Sequence, residues 1–321
     1  MKSKRALITG GAGFIGSHLV DRLVKERWFV RIIDNLSTGK WENINHHMNN
    51  SNVEIVIKDL KETSEILKFT KDINVIFHFA ANPEVRTSVI KPEIHFSENV
   101  IATFNLLEIM RKNDVEEIVF ASSSSVYGEP EKIPVHENAP IRPISVYGAS
   151  KASCENFIHA YSKLYGIRAV ILRYANVVGP RQRHGVIYDF LLKLFSNSSE
   201  LEVLGDGSQI RSYIYIDDAI EATLIAYMKK RKTFEVYNVG SDDWITVLEV
   251  AKIVSGTLGL SSVKLKFKPY HYGIGWPGDV KRIALSIDKI KSLGFKPRYS
   301  SREAIKLTTY ALINELSTAL K

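Results

Sequence analysis

Residues 9–16 read TGGAGFIG, and this short stretch decides the fold class of the chain. Three of its glycines recur at every third residue, at Gly10, Gly13 and Gly16. The apolar run KRALIT ends at the first residue of the stretch, and apolar residues at helical spacing follow over Phe14–Lys25. Glycines between a strand and a helix let the backbone approach a pyrophosphate, which the helix N-terminus binds through free N–H groups. The stretch therefore predicts a dinucleotide-binding strand–turn–helix unit.

The next apolar run, WFVRIID, closes with an acid that supports this interpretation. Asp34 stands 24 residues after Gly10. A carboxylate at the end of the second strand accepts hydrogen bonds from both ribose hydroxyls and repels a 2′-phosphate. The spacing therefore predicts that the dinucleotide is NAD rather than NADP.

Four more β-rich apolar runs follow, ending at Asp59, Ala80, Ser122 and Ala175. Most of them precede a segment with helical spacing, as in Phe96–Lys112, where one face carries Val100, Phe104, Leu107 and Met110. Strands that alternate with helices predict βαβ units and a parallel sheet that is covered on both sides. The predicted fold class is α/β, a doubly wound parallel (Rossmann) sheet.

After about Pro180 the alternation loosens, which predicts a second, smaller α/β substrate-binding domain. Helical patterns cover Val186–Phe195 and Asp217–Met228, a third spans Thr246–Gly259, and a last begins near Ser300. The third starts with a capping box formed by Thr246 and Glu249. We assign residues 1–179, with 212–242, to the NAD-binding domain, and residues 180–211 and 243–321 to the substrate-binding domain.

Composition is that of an ordinary globular protein, with 45% hydrophobic and 24% charged residues among 321. The net charge of +8 is compatible with nucleic-acid binding, but the basic residues are scattered and the only basic run is KKRK at 229–232. A solvated helix end explains that run, and a basic chain also suits a phosphorylated small substrate. We predict no nucleic-acid partner.

Several other classes of site are excluded. The single cysteine, Cys154, rules out a disulfide framework and a multi-cysteine metal site. The nine histidines show no metal-binding spacing: His78 is expected to be a packed core residue, and the adjacent His46 and His47 are expected to point in different directions. No apolar run approaches the roughly 20 residues of a membrane span, and no signal-peptide pattern opens the sequence. These features predict a cytoplasmic protein with no metal and no membrane association.

The tetrapeptide SVYG occurs twice, and its two tyrosines differ in their surroundings. Tyr147 is followed by Lys151 within a helical pattern, so the ammonium lies on the same helix face as the phenol. A nearby cation favours the phenolate, as a general base requires. Tyr127 precedes Pro130 in a loop-like segment, and its nearest lysine, Lys132, lies five residues on. We predict that Tyr147 is the base and that Tyr127 packs or lines a pocket.

Six segments together resemble the extended short-chain dehydrogenase/reductase family, and most closely its UDP-glucose (UDP-galactose) 4-epimerases. They are TGGAGFIG, the strand-end Asp34, FHFAA, SSSSVYG, YGASK and RYANVVGPRQ. The resemblance covers essentially the whole chain. It implies NAD-dependent, reversible C4 epimerisation of a UDP-hexose through a 4-keto intermediate, in a homodimer that binds a UDP-sugar.

The resemblance also implies residue roles. Tyr147 is the base, Lys151 its partner and nicotinamide-ribose ligand, and Ser123 the catalytic hydroxyl. The implied cofactor ligands are Gly10, Gly13, Phe14, Ile15, Gly16, Asp34, Asn35, Ser37, Gly39, Asp59, Leu60, Phe79, Ala80, Ala81, Asn99, Ser122, Tyr147, Lys151 and Tyr174. A helix-packing role for Asn99 and a helix N-cap role for Asp59 stay open. The implied substrate ligands are Arg86, Ser123, Ser124, Tyr147, Asn176, Val186, Arg211, Tyr213 and Asp279.

The chain departs from its relatives at positions that bear on the substrate. Relatives that are dTDP-glucose dehydratases carry an Asp-Glu pair where Ser124 and Ser125 stand, which disfavours dehydration. Ile274 and Trp276 occupy the region where many relatives place a diphosphate-binding arginine. The position that gates sugar size falls near Ile283, which is not a tyrosine, so an N-acetylhexosamine substrate stays open. UDP-glucuronate 4-epimerisation or decarboxylation and a non-catalytic NAD(H)-sensing module are the alternatives.

Overall fold

The computed structural model describes residues 4–319, and side chains within 4–317. Its strands are β1 (Arg5–Thr9), β2 (Phe29–Asp34), β3 (Val53–Ile57), β4 (Val75–His78), β5 (Glu117–Ser123), β6 (Arg168–Tyr174), β7 (Asn176–Val178), β8 (Glu200–Leu204), β9 (Ile210–Arg211), β10 (Tyr213–Tyr215), β11 (Phe234–Val239), β12 (Ile245–Thr246) and β13 (Lys264–Lys268). Its α-helices are α1 (Phe14–Lys25), α2 (Thr63–Ile66), α3 (Thr87–Ile90), α4 (Pro92–His95), α5 (Ala102–Lys112), α6 (Val146–Tyr165), α7 (Val186–Ser196), α8 (Ile216–Met228), α9 (Val247–Thr257), α10 (Asp288–Lys291) and α11 (Ser301–Ala319).

Seven strands form one sheet in the order β11-β6-β5-β4-β1-β2-β3, and the pairs from β5 to β3 are parallel. The chain moves outward from β1 to β3 and then returns to place β4 on the other side of β1. Such a reversal opens a crevice at the carboxyl ends of the strands, where doubly wound folds bind their ligands. The predicted Rossmann fold class is confirmed.

The chain divides into two compact units. The first runs up to Ser123 and takes in Val146–Arg173 and Thr223–Tyr237, whereas the second comprises Ser124–Ser145, Tyr174–Ala222 and the chain from Asn238 onward. The two domains that we assign by binding role have other boundaries, and that assignment stays a prediction.

The core of the first unit explains why its strands are almost continuously apolar. Ala6, Leu7 and Ile8 in β1 are fully buried, because helices cover the sheet on both faces. Alternation of polar and apolar residues would instead indicate a sheet with one solvated face. In the second unit the core gathers between α7, α9 and α11, and the capping box of Thr246 and Glu249 forms at the start of α9 as predicted.

The helix predicted over Phe96–Lys112 is present with one irregularity. Its first six residues, Phe96–Ile101, are π-helical and lead directly into α5. Along the predicted face Val100, Leu107 and Met110 are buried, whereas Phe104 is 41% exposed. Within residues 4–319, no helix is long and apolar enough to cross a membrane.

Candidate active site

The glycine-rich turn leaves no room for side chains at its closest approaches. Gly10 has a φ of +71°, and a Cβ atom there would lie 2.5 Å from the backbone nitrogen of Ala80 at the end of β4. A Cβ atom on Gly16 would lie 2.2 Å from the carbonyl oxygen of Gly10. The extended Gly13 precedes α1 without a side-chain cap, so the first N–H groups of the helix lack an intrahelical acceptor. This cradle fits a dinucleotide pyrophosphate.

Asp34 is positioned beside the same turn by two backbone donors. Its Oδ2 accepts a hydrogen bond from Ala12 N at 2.9 Å, and its Oδ1 accepts one from Leu36 N at 2.8 Å. Burial raises the pKa of this carboxyl group, while the two backbone N–H groups oppose that rise. A Cβ on Gly39 would lie 2.8 Å from Oδ1, so glycine keeps this side of the carboxylate open. The arrangement suits a carboxylate that accepts ribose hydroxyls.

Asp34→Asn is expected to weaken NAD binding by about 10–100-fold, because a hydrogen bond to a charged acceptor contributes roughly 1.5–3 kcal/mol. NADP binding should weaken less or improve, since the repulsion between the carboxylate and a 2′-phosphate disappears. Calorimetric titration of both cofactors measures the change, with Asp72→Asn at an exposed acid as the control. Unchanged discrimination between NAD and NADP in Asp34→Asn would disprove the role of Asp34.

The other predicted adenosine ligands lie at the ends of β2 and β3. Asn35 donates a hydrogen bond from Nδ2 to Asp59 Oδ2 at 3.0 Å, and its Oδ1 accepts one from Ser37 N at 3.0 Å. Asp59 also accepts from Lys61 N, but the N-cap of α2 is Glu62. The side chain of Leu60 belongs to the hydrophobic core. Cofactor binding by these residues stays a proposal.

The predicted catalytic residues meet at the end of β5. The hydroxyl groups of Ser123 and Tyr147 are hydrogen-bonded, which lowers the pKa of the phenol. Desolvation has the larger effect and raises that pKa to about 12. The ammonium group of Lys151 is buried and donates to Ala121 O at 2.8 Å, with its Nζ 4.9 Å from the centroid of the Phe120 ring. The last residues of β5 therefore contact Tyr147 through Ser123 and Lys151 through Ala121.

Burial lowers the pKa of Lys151 to about 8 from its usual 10.5. Between these values the unfolded chain holds a proton that the folded chain releases, so this lysine makes stability rise with pH. In the cofactor-free protein the rise should reach about 3 kcal/mol between pH 8 and 10. Urea unfolding of Lys151→Met should lack the rise, and the exposed Lys163→Met should keep it. A rise that persists in Lys151→Met would contradict the assignment.

A buried ion pair that we did not predict supports the strand that carries these groups. Glu155 and Arg173 have side chains only 5% and 4% exposed, and Arg173 Nη2 lies 2.7 Å from Glu155 Oε2. Ser122 donates its hydroxyl hydrogen to Glu155 Oε1 at 2.5 Å. Ser122 thus faces this carboxylate, and its proposed contact with the cofactor is untested. The sequence signal for this ion pair is the arginine within the apolar run AVILRYA, because a charged side chain in a buried strand needs a partner of opposite charge.

Asn99 and His78 are buried polar residues of the first unit. Asn99 donates from Nδ2 to Ser150 Oγ at 2.9 Å, and its Oδ1 accepts from Asn82 N at 2.8 Å. These contacts are those of a packing residue, and a cofactor contact stays a proposal. His78 is fully buried between Thr9 and Thr103, as expected of a core histidine. Its burial lowers its pKa to about 3.

The predicted substrate ligands are distributed over both units. In the first unit, Arg86 Nε lies 3.5 Å from Glu84 Oε1. In the second, Arg211 Nη2 lies 2.7 Å from Asp279 Oδ1, and Arg211 also donates to the carbonyl oxygens of Ile210 and Val280. The remaining predicted ligands of the second unit are Ser124, Val186, the buried Tyr213, and Asn176, which donates to Ser212 O at 3.2 Å.

Two histidines are not arranged as expected. His46 and His47 do not point in different directions: both place Nε2 within hydrogen-bonding distance of Asp21 Oδ1, at 2.8 and 2.7 Å. The reason is local, because both residues belong to the 3₁₀ turn Asn45–His47 facing α1. We expected the two side chains to diverge because the residues are adjacent in sequence. Only the backbone geometry of the turn shows that they converge on Asp21.

The fold and this site define a Rossmann-type dinucleotide-binding enzyme with a serine, a tyrosine and a lysine at the end of one strand. Residues 6–240 match the model of the NAD dependent epimerase/dehydratase family. The chain belongs to this family, which confirms the resemblance identified from the sequence motifs and makes the protein an NAD-dependent enzyme of that class.

Relatives and solved structures extend the comparison over nearly the whole chain. A Methanocaldococcus jannaschii protein provisionally named a UDP-glucose 4-epimerase is 43% identical over 305 residues, covering 94% of this chain and 95% of that protein. A crystal structure of a UDP-galactose 4-epimerase is 46% identical, with a TM-score of 0.86 over 97% of this chain and 99% of that one. The Bacillus cereus UDP-glucuronic acid 4-epimerase in complex with UDP-glucuronic acid and NAD is 32% identical, with a TM-score of 0.88 over 97% and 99%.

Proposed function

We propose that this enzyme catalyses the reversible C4 epimerisation of a UDP-hexose, interconverting UDP-glucose and UDP-galactose through a 4-keto sugar. The observation that carries the proposal is the hydrogen bond between Ser123 and Tyr147, with the buried Lys151 four residues further along the same helix. This is a general base with an orienting hydroxyl and a neighbouring cation. Relatives named as UDP-glucose and UDP-galactose 4-epimerases support the same substrate class.

In this reaction Tyr147 Oη accepts the proton of the sugar 4-hydroxyl while Ser123 Oγ orients that hydroxyl. Bound NAD supplies the hydride acceptor and donor for C4. Because burial raises the pKa of the phenol to about 12, Tyr147 needs a nearby positive charge to act as a base. Lys151 is the cation that the chain supplies, one helical turn away. The keto sugar then turns in the site, and Tyr147 returns the proton to its oxygen.

Two serines favour epimerisation over dehydration, the other reaction in the family's name. Ser124 and Ser125 form the start of the 3₁₀ turn that follows β5. The dTDP-glucose dehydratases that this chain resembles carry an acid pair at these positions for elimination of water, and a serine hydroxyl is neither a general acid nor a general base at neutral pH. The sequence thus retains the groups for oxidation and reduction at C4 and lacks those for elimination.

Arg211 and Arg86 are our proposed ligands of the substrate diphosphate. Arg211 is held by the buried Asp279, whose other oxygen accepts from Gly275 N at 2.8 Å. This anchoring fixes the guanidinium plane in advance of binding, which reduces the ordering cost of phosphate recognition. Arg86 is more exposed and forms an ion pair with Glu84.

Incubation of the purified protein with separate UDP-sugars and product analysis by NMR tests the proposal. UDP-glucose should give UDP-galactose at equilibrium without accumulation of reduced cofactor. Turnover of UDP-N-acetylglucosamine alone, or of UDP-glucuronate alone, would move the substrate to that sugar and reject the hexose assignment. Release of CO₂ from UDP-glucuronate would identify a decarboxylase instead.

We propose that the enzyme is a homodimer formed through one helical surface of the first unit. This surface, the apolar helix face, consists of Phe96, Ile101, Phe104, Phe157 and Leu164, which are all at least 37% exposed. The rings of Phe104 and Phe157 contact each other with their centroids 5.8 Å apart, and exposed apolar patches mark interaction sites. A second copy is the proposed occupant, because the resemblance to extended short-chain dehydrogenase/reductases implies a homodimer and a two-fold interface places the same patch of both copies in contact.

Phe104→Glu should convert the dimer to a monomer, since it places a charge against Phe157 on the apolar helix face. Sedimentation analysis measures the mass, and Lys163→Glu, on the exposed part of α6, is the control. A wild-type protein that sediments as a monomer, or a dimer unaffected by Phe104→Glu, would reject this interface.

A further inference from the structure

Asp21, His46 and His47 bring three metal-ligating atoms together on the first unit. Asp21 lies in α1, and the two histidines lie in the 3₁₀ turn Asn45–His47. His46 Nε2 and His47 Nε2 lie 2.8 and 2.7 Å from the same oxygen, Asp21 Oδ1. The three ligand atoms are all within 4.8 Å of one another.

The arrangement is specific, because neighbouring residues in a helical turn normally diverge. Here the two imidazole rings lie 4.1 Å apart at an interplanar angle of 42°, with the same nitrogen of each directed at one carboxylate. Two imidazoles and one carboxylate form the donor set of three-ligand zinc sites, which leave further positions to water. We propose that Asp21, His46 and His47 bind a divalent transition-metal ion of the Zn²⁺ class.

The distances require only a small adjustment. Four-coordinate Zn²⁺ with bonds of about 2.0–2.2 Å keeps its ligand atoms roughly 3.3 Å apart, so each N···O distance must open by about half an ångström. Asp21 and His46 have side chains 32% and 44% exposed, which leaves them room to move. His47, at 10%, is the fixed ligand. Mg²⁺, which prefers oxygen ligands, does not suit two imidazoles.

The site joins two elements that border the glycine-rich turn. Lys40 N and Asn43 Nδ2 donate to Ala12 O at 3.0 and 2.8 Å, which fastens one end of this segment to the turn. Ala12 N in turn donates to Asp34. A metal ion on Asp21 and the two histidines fastens the other end to α1. Binding therefore stabilises the folded first unit, because the unfolded chain does not hold the three ligands together.

Calorimetric titration of chelator-treated protein with Zn²⁺ and, separately, with Mg²⁺ tests the site. We expect one Zn²⁺ per chain, no comparable binding of Mg²⁺, and a rise in Tm with Zn²⁺. His46→Gln and His47→Gln should each weaken Zn²⁺ binding by more than about tenfold, since even loss of a group supporting a ligand costs that much. Glutamine reaches to the position of Nε2 and still donates to Asp21, so the hydrogen bond is kept. The matched control is His136→Gln at an exposed histidine outside the cluster.

Equal Zn²⁺ affinity in the wild type and the His46→Gln/His47→Gln double variant would overturn the proposal. The same holds if His136→Gln weakens binding as much as His46→Gln, or if Mg²⁺ binds as tightly as Zn²⁺. Should His47→Gln fail to fold, the more exposed His46→Gln decides the outcome alone. None of these readouts depends on sugar turnover, so failure of the proposed epimerase activity is distinguishable from failure of the metal site.

Discussion

Tyr147→Phe is expected to lower kcat for UDP-hexose epimerisation by about 10²–10⁴-fold, the usual contribution of a general base. The substitution removes only the hydroxyl oxygen that is hydrogen-bonded to Ser123, so the helix and its packing remain. Steady-state kinetics with NMR detection measures the loss. Binding of UDP-glucose should change far less than kcat, since the hydroxyl acts mainly in proton transfer.

The second SVYG tetrapeptide provides the control for this change. Tyr127 is buried, and its hydroxyl donates to Asn238 Oδ1 at 2.7 Å. Tyr127→Phe therefore loses one buried hydrogen bond, which lowers the free energy of unfolding by about 1–3 kcal/mol and leaves kcat near the wild-type value. Near-wild-type turnover in Tyr147→Phe, or an equal loss in both variants, would contradict the assignment of the base.

Arg173→Met is expected to lower the free energy of unfolding by about 3–5 kcal/mol, because it leaves Glu155 buried without its counter-charge. Urea unfolding measures this loss. The Glu155→Met/Arg173→Met double variant should be less destabilised, since neither charge of the pair is then left buried without the other. Because Glu155 also accepts from Ser122, next to Ser123, turnover should fall in both variants.

An exposed arginine with acidic partners provides the control for this prediction. Arg168, at the start of β6, has a side chain 43% exposed. It forms ion pairs with Glu116 and Glu117 at the start of β5. Arg168→Met should cost less than about 1 kcal/mol, as exposed pairs do. An Arg173→Met variant no less stable than Arg168→Met, or a double variant less stable than Arg173→Met, would refute the stabilising role of the buried pair.

The parts of the molecule that the sequence predicts are those set by local patterns. The bounds of α1, the strand end at Asp34, and the helix that carries Tyr147 and Lys151 follow from hydrophobic periodicity and the glycine spacing, and β5 ends at Ser123, one residue beyond the predicted Ser122. Each signal lies within a few residues of the feature that it predicts, so no knowledge of tertiary contacts is required.

Contacts between distant elements were beyond the reach of such patterns. The hydrogen bond between Ser122 and Glu155 joins β5 to α6, and Arg173 in β6 forms an ion pair with the same carboxylate. The convergence of His46 and His47 on Asp21 depends on the backbone geometry of a short turn. In both cases the side-chain types were visible in the sequence, but the direction in which each points is decided by packing.

The most direct test of the proposed function follows the atom that is removed from C4. UDP-glucose labelled with deuterium at C4 should yield UDP-galactose that keeps the label at C4, because the same hydride leaves and returns within one site. NMR of the product made in ordinary water measures this retention. Loss of the label to solvent, or labelled UDP-glucose that stays unchanged in the presence of enzyme and NAD, would contradict C4 epimerisation by Tyr147, Ser123 and Lys151.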